Sequence, residues 1–287
     1  MPNYTETELK LKMINPESGP QIMNWPFFRE LAGEGAWRRE NLEARYYDTE
    51  EHDLQKARFA YRIRQEGGKW VAAVKGSGTS AGGLHRRQEW EAFISEPAAG
   101  IEPFLELPVG EELAKLVGDK PLLPLFITLF ERHTLTVSPS EGTTIEVAID
   151  QGSVFTEEVR EPIQEVELEL KEGSVAELLS FAASLAAEFP FLIETRSKYA
   201  RGLNLAGLAK PEKNKERLVL DASDAVRGQS RLILLAAVSA VLNAQGLLME
   251  APEEREQLHQ FRITLRRMRS LLAFFPAIAR GGASRRL

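Results

Sequence analysis

The chain has 287 residues, 43% hydrophobic and 27% charged, which suits one large or two modest soluble domains and excludes disordered and membrane-embedded classes. It has no cysteine, so disulfide scaffolds, cysteine zinc sites, iron–sulfur clusters and thiol nucleophiles are excluded. The net charge of −6 hides an asymmetry: residues 206–287 carry 14 Lys and Arg against 8 Asp and Glu, leaving 22 against 34 before them, so no nucleic-acid partner is expected there.

In chain order, the opening residues Met1 to Lys12 lack an apolar leader core, and a cytoplasmic protein is expected. Alternating or short apolar runs follow at Glu8 to Lys12, Ala57 to Arg64, Lys69 to Lys75, Glu89 to Ile94, Leu125 to Val137, Thr143 to Asp150 and Gln164 to Lys171. Turn residues separate them, so an antiparallel sheet or barrel is predicted. Pro20 to Leu31 and Ser174 to Glu188 read as helices, the latter with Ser174 as N-cap. The Gly-rich stretch Gly76 to Gly83 lacks the Lys-Ser/Thr ending of a phosphate loop and reads as a long hairpin loop. Residues 206–220 read as a charged linker, centred on Lys210 to Arg217. Beyond it, Asp224 to Met249 and Pro252 to Phe275 form a predicted αα-hairpin, with Gly281 to Leu287 as a tail. The apolar run Leu232 to Leu242 is shorter than a membrane span, and no membrane partner is expected.

The predicted strands carry charge on alternate positions, hence on one face. Glu6, Glu8 and Lys10 share a face, as do Arg62 and Arg64, then Arg87, Glu89 and Glu91, then Glu146 and Asp150, then Glu165, Glu167 and Glu169. Lys75 and Arg132 are further strand cations. One such strand is ordinary for a sheet with a wet side. The whole set crowds like charges that are unfavourable together unless cations sit among them. Hard carboxylate ligands call for Mg²⁺ or Mn²⁺, and strand Arg and Lys are donors for phosphate oxygens. If the sheet closes with that face inward, it makes a polar tunnel. His52 and His133 read as surface or strand residues and the four tryptophans as barrel packing, while His85, after the Gly-rich stretch, could reach the tunnel mouth.

Glu6-Thr-Glu8-Leu-Lys10 resembles the E-x-E-x-K signature of CYTH domains, the triphosphate tunnel metalloenzymes. The resemblance continues in order through Tyr46 to Thr49, Arg62-Ile-Arg64, Lys75, Arg87-Gln-Glu89, Arg132, Glu146 to Gly152, Glu165 to Glu169, Ser197-Lys198 and Arg201-Gly202, and covers roughly residues 3–205. It implies an α+β fold: an eight-stranded antiparallel barrel around a tunnel, with flanking helices, over residues 1–205. It also implies metal ligands at Glu6, Glu8, Glu165 and Glu167, with Glu89, Glu146, Asp150 and Glu169 as further ligands or their supports. Lys10, Arg62, Arg64, Lys75, Arg87, Arg132, Lys198 and Arg201 would clamp a triphosphate. The catalytic set would be Glu6, Glu8, Lys10, Glu165 and Glu167, hydrolysing inorganic triphosphate with Mg²⁺ or Mn²⁺. Thiamine triphosphate, nucleoside triphosphate and a class IV adenylate cyclase reaction are the alternatives within the same chemistry. On the last helix, His259, Arg262, Arg266 and Arg269 form a basic stripe in a string similar to the opening of a CHAD domain, an α-helical module associated with polyphosphate. Residues 221–287 would then be a partial CHAD-like segment, which allows a polyphosphate-binding module with little turnover as a rival function. Its short hairpin would leave apolar faces for packing or self-association.

Overall fold

The computed structural model describes residues 5–209 and 226–275, so the linker around Lys210 to Arg217 and the tail Gly281 to Leu287 lie outside the described residues. The chain divides into two compact units, Met1–Ala209 and Lys210–Leu287. The first begins with β1 (Thr5–Met13), α1 (Ser18–Met23), α2 (Pro26–Ala32), β2 (Arg38–Asp48), α3 (Asp53–Lys56), β3 (Ala60–Glu66), β4 (Lys69–Ala81) and β5 (Leu84–Ile94). After a 3-10 turn at Glu102–Phe104 come α4 (Gly110–Val117), β6 (Leu123–Ser140), β7 (Thr143–Phe155) and β8 (Arg160–Glu172). It ends with α5 (Val175–Glu188), β9 (Phe191–Ile193) and α6 (Lys198–Leu205).

The strands run in the order β5-β4-β3-β2-β6-β7-β8-β1-β9, and β5 also pairs with β1, so eight antiparallel strands close a barrel and β9 is additional. β1 makes the closure by changing partner: Thr5 to Leu9 pair with β5, and Leu11 to Met13 pair with β9. The barrel is oily outside and charged inside. Leu9, Leu11, Met13, Val166 and Leu168 face outward, buried under Ile22, Phe28 and the α5 residues Leu178, Phe181 and Leu185. On the opposite flank, Tyr61, Ile63, Val74 and Trp90 are covered by Leu54, Phe104, Leu113 and Val117. Each fully buried aliphatic side chain of this kind contributes about 1.5–3 kcal/mol. Helix coverage of the outer face is what leaves the inner face free to be polar.

Several local features differ from the sequence reading. The helix expected over Pro20 to Leu31 is two helices, because the residue before a proline is driven out of the α region and Trp25 is extended at ψ 123° ahead of Pro26. The expected loop Gly76 to Gly83 is largely strand. β4 bulges between Lys75 and Gly78, then pairs on to a two-residue turn at Gly82 and Gly83, whose φ of 61° and 78° suit the mirror-image hairpin turns. β2, α3, α4 and α6 are elements the alternation did not reveal. β2 is built from helix-favouring Glu, Arg, Leu and Ala, but pairing with β6 over Arg38 to Asp48 decides its conformation. Ser174 does cap α5: its Oγ accepts from Glu177 N (3.3 Å), and the Glu177 carboxylate accepts from Ser174 N (2.8 Å).

The second unit shows α7 (Val226–Glu250) and α8 (Arg255–Phe274) packed as a pair. Neither helix is well covered. Leu232, Leu235, Leu247, Leu258, Leu265 and Leu272 are all exposed, and His259, Arg262, Arg266 and Arg269 lie exposed along α8. The apolar run is longer than the sequence reading allowed. Gly228–Met249 spans 22 residues at mean hydropathy 2.0, enough by length and composition alone to cross a bilayer.

Candidate active site

Alternation along the barrel strands turns one side chain in two inward, and the inward set encloses a cavity of about 400 Å³. β1 contributes Glu6, Glu8 and Lys10, β3 Arg62 and Arg64, β4 Lys75, and β5 Arg87 and Glu89. β6 adds Arg132, β7 Glu146, β8 Glu167 and Glu169, and the first turn of α6 adds Lys198. Thirteen of the sixteen residues expected at the site therefore line one cavity.

The other three, Asp150, Glu165 and Arg201, lie deeper, beyond the cavity lining, and are 0%, 0% and 2% exposed. They belong to a seal that α6 makes across one end of the barrel. Ser197 caps α6 through Ala200 N (3.1 Å). Gly202 allows the approach, since a Cβ there would overlap the Phe126 ring. Below the charges, Phe126, Phe130, Val154, Ile163 and Leu203 form an apolar floor.

The seal neutralises itself. Lys198 Nζ donates to Asp150 (2.7 Å), Glu165 (3.0 Å) and Glu167 (2.8 Å). Arg201 donates to Glu165, to Glu161 (2.7 Å) and to the Pro162 carbonyl. Arg132 forms a fork on Asp150 (2.7 and 2.6 Å) and reaches Glu167. Asp150, Glu165 and Glu167 stand close enough together to hold a metal ion, yet the Lys198 ammonium already sits among them. Burial opposes that ammonium, but Asp150, Glu165 and Glu167 outweigh it and hold the Lys198 pKa well above its usual value. Glu167 is likewise held well below the carboxylate range: burial pushes it up, and Lys10, Lys198 and Arg132 override burial. Glu165, expected as a metal ligand, and Arg201, expected as a phosphate clamp, are thus found paired together. Each is consumed by the other, away from the cavity.

Further along the same three strands, β1, β7 and β8, the wall is built differently. Glu8 pairs in register with Glu169, and Glu146 with Glu169 from the other side. Glu6 is the next inward residue on β1. The Glu169 carboxyl is pushed above its ordinary range by burial first, with Glu6 and Glu146 adding to it and only Lys171 (2.7 Å) relieving it. Here carboxylates outnumber their cations. An all-oxygen donor set in which four carboxylates share Lys75, Lys10 and Lys171 fits a hard divalent ion such as Mg²⁺ or Mn²⁺.

Most of the cations line the remaining strands, interleaved with Glu40, Glu66, Glu89 and Glu91. Lys75 bridges Glu6 (2.7 Å) and Glu89 (3.0 Å), and Glu89 also takes Arg62 (3.1 Å). Lys10 lies between Glu8 (3.2 Å) and Glu167 (2.5 Å). Arg64 is brought down to about 10 by burial first, with Arg62 and Arg132 adding to it and Glu66 and Glu91 opposing. The Nε atoms of Arg62 and Arg64 are buried without a partner among the described residues. Clustered guanidinium donors beside an acid-rich wall suit a polyanion with bound metal. The sequence reading did not assign Arg38, Glu40, Glu66, Glu91 and Lys171 to the site, and all five line the cavity. Glu91 was already placed on the charged face with Arg87 and Glu89, and Lys171 could have been found by carrying the alternation one step past Glu169. Arg38 and Glu40 were hidden by the helix-like composition of β2.

Comparison with known proteins agrees with this architecture. A family model described as CYTH domain matches residues 4–203. The chain is 31% identical over 262 residues to a protein of Haemophilus influenzae described as an inorganic triphosphatase, covering 87% of this chain and 69% of that one. That span is longer than the barrel unit, whereas the family match stops short of the helical pair. Among solved structures, HpAC1 of Hippeastrum, described as revealing a dominant triphosphatase activity, superposes with a TM-score of 0.50 at 17% identity, over 72% of this chain and 98% of that one.

Proposed function

The chain belongs to the CYTH domain family, and from that premise we propose that it is a metal-dependent triphosphatase that hydrolyses inorganic triphosphate to pyrophosphate and phosphate. The observation that carries the reading is one cavity lined by clustered Lys and Arg in which Glu6, Glu8, Glu146 and Glu169 crowd together on adjoining strands. Glu6, Glu8, Glu146 and Glu169 would hold Mg²⁺ or Mn²⁺, with Glu167 beside them. When bound, the ion supplies charge for the phosphate oxygens and acidifies a coordinated water.

The protein's own residues do the rest. Arg62, Arg64, Lys75 and Arg87 grip the chain of phosphates, and Lys10, Arg132 and Lys198 face its end nearest α6. Water adds to the terminal phosphorus as the bridging P–O bond breaks, in line, and the electron pair leaves with pyrophosphate. The fixed cations stabilise the charge on that leaving group without reorganising. The α6 seal closes the tunnel at one end, and this limits bulk water around the phosphates.

The test is phosphate release from tripolyphosphate, ATP and thiamine triphosphate in parallel, with Mg²⁺ or Mn²⁺ and then with EDTA. Chelator-sensitive release from tripolyphosphate in preference to the others is expected. Tight tripolyphosphate binding without release would replace this reading with a binding module.

A further inference from the structure

One buried residue at the cavity edge has no part in the chemistry above. His85 opens β5 and pairs in register with Glu8, and it is 1% exposed. Its place is fixed by the hairpin before it. The Gly83 carbonyl accepts from Lys10 N (3.2 Å), and a Cβ on Gly83 would collide with the Ile193 side chain, so the tip is wedged where β1 passes from β5 to β9. The His85 ring then lies against Arg87, with Nδ1 3.0 Å from the guanidinium Nη2.

Arginine can only donate, so Nδ1 accepts, and the ring is the neutral tautomer with its proton on Nε2. Burial, then Lys10 and Arg87, bring the imidazole down to about 4, in keeping with a neutral ring. This contact is singular. Lys10, Arg62, Arg64, Lys75, Arg132 and Lys198 each have a carboxylate within ion-pair distance. Among the described residues Arg87 is the one expected clamp cation of the cavity with none. It is held by an uncharged acceptor instead. A carboxylate in the same place would orient the guanidinium but cancel its charge. An imidazole orients it and leaves the charge for an incoming anion.

We propose that His85 is a positioning residue, whose Nδ1 aims the Arg87 guanidinium at a phosphate oxygen in the tunnel while keeping its full positive charge available. The inference rests on the triphosphate reading above. It is tested by tripolyphosphate titration calorimetry alongside kcat and KM, on His85→Phe, His85→Asn, His85→Gln, Arg87→Ala and the His85→Phe/Arg87→Ala double variant. His85→Phe is expected to weaken tripolyphosphate binding and raise KM about tenfold, as loss of a hydrogen bond to a charged group does, with kcat little changed. Asn sets an acceptor near the Nδ1 position and should recover most of the affinity. Gln sets it near Nε2 and should not. The double variant should be no weaker than Arg87→Ala alone. Equal affinities for the Asn and Gln variants, or losses that multiply in the double variant, would overturn the role. The Asn–Gln comparison decides even if the Phe variant does not fold. A wild-type protein that binds no tripolyphosphate would instead overturn the triphosphate reading itself.

Discussion

Two groups of carboxylates share the interior of this barrel, and they differ in one respect. Asp150, Glu165 and Glu167 meet Lys198, Arg201 and Arg132 at hydrogen-bond distance. Glu6, Glu8, Glu146 and Glu169 crowd one another with fewer cations, and Glu169 holds its proton more tightly than usual, through burial first and then repulsion by Glu6 and Glu146. By donor type and spacing alone, the first group is the better metal site. By charge balance it is already full. The deficit of positive charge, more than the density of carboxylates, marks where an external cation belongs.

That contrast can be broken from either side. The largest effect expected is on the sealed group. Arg201→Met leaves Glu165 and Glu161 short of a buried partner and should cost about 3–5 kcal/mol of barrel stability, read by urea unfolding. An unchanged midpoint would mean that the seal is not self-neutralised as drawn. On the crowded wall the prediction is reversed. Glu169→Gln removes a proposed metal ligand and should lower tripolyphosphate turnover by at least ~100-fold, beyond the range that ligand-supporting residues cost, while leaving the melting temperature unchanged or higher because a repulsion is removed. Next in size is ion binding to the wild-type fold. Mg²⁺ or Mn²⁺ at tenfold over its Kd should stabilise by about 1.4 kcal/mol, reversed by EDTA and absent in Glu169→Gln. Persistence of the shift in that variant would move the ion to the Lys198 group. The smallest effect is the same pairing logic in open solvent. Glu177, in the α5 cap, is lowered to about 2, first by its hydrogen bond with Thr143 and then by those with Ser174 and Ser140. A depressed carboxyl contributes stability above its unfolded value near 4.5 and loses it as pH falls through about 2. The stability gap between wild type and Glu177→Gln, followed by acid titration, should therefore close toward pH 2.

Much of the fold and site was legible from alternation. A period of two assigns each side chain to a face, and that was enough to gather Glu6, Glu8, Lys10, Arg62, Arg64, Arg87 and Glu89 around one space. It does not say how deep along the barrel axis a residue sits. Glu165 and Asp150 have the correct parity and the wrong depth, because α6 crosses the barrel end at their level. The alternation did not reveal α6, whose cap Ser197 entered only through the family resemblance. β2 was missed for the opposite reason: its own composition favours a helix, and only its neighbours make it a strand. The two-helix break at Trp25-Pro26 was readable from the proline alone.

The change of partner along β1 bears on the order of assembly. β1 is the first strand made and the last to be satisfied. Its ladders join it to residues near 85, near 167 and near 192, so every one of its pairings closes a loop of about eighty residues or more. On a ribosome it emerges with apolar Leu9, Leu11 and Met13 on one side and a row of charge on the other, and waits through the synthesis of seven strands before the ring can shut. Such non-local pairing makes folding slow for the chain's length and makes the N-terminal strand the one that a chaperone would need to shield.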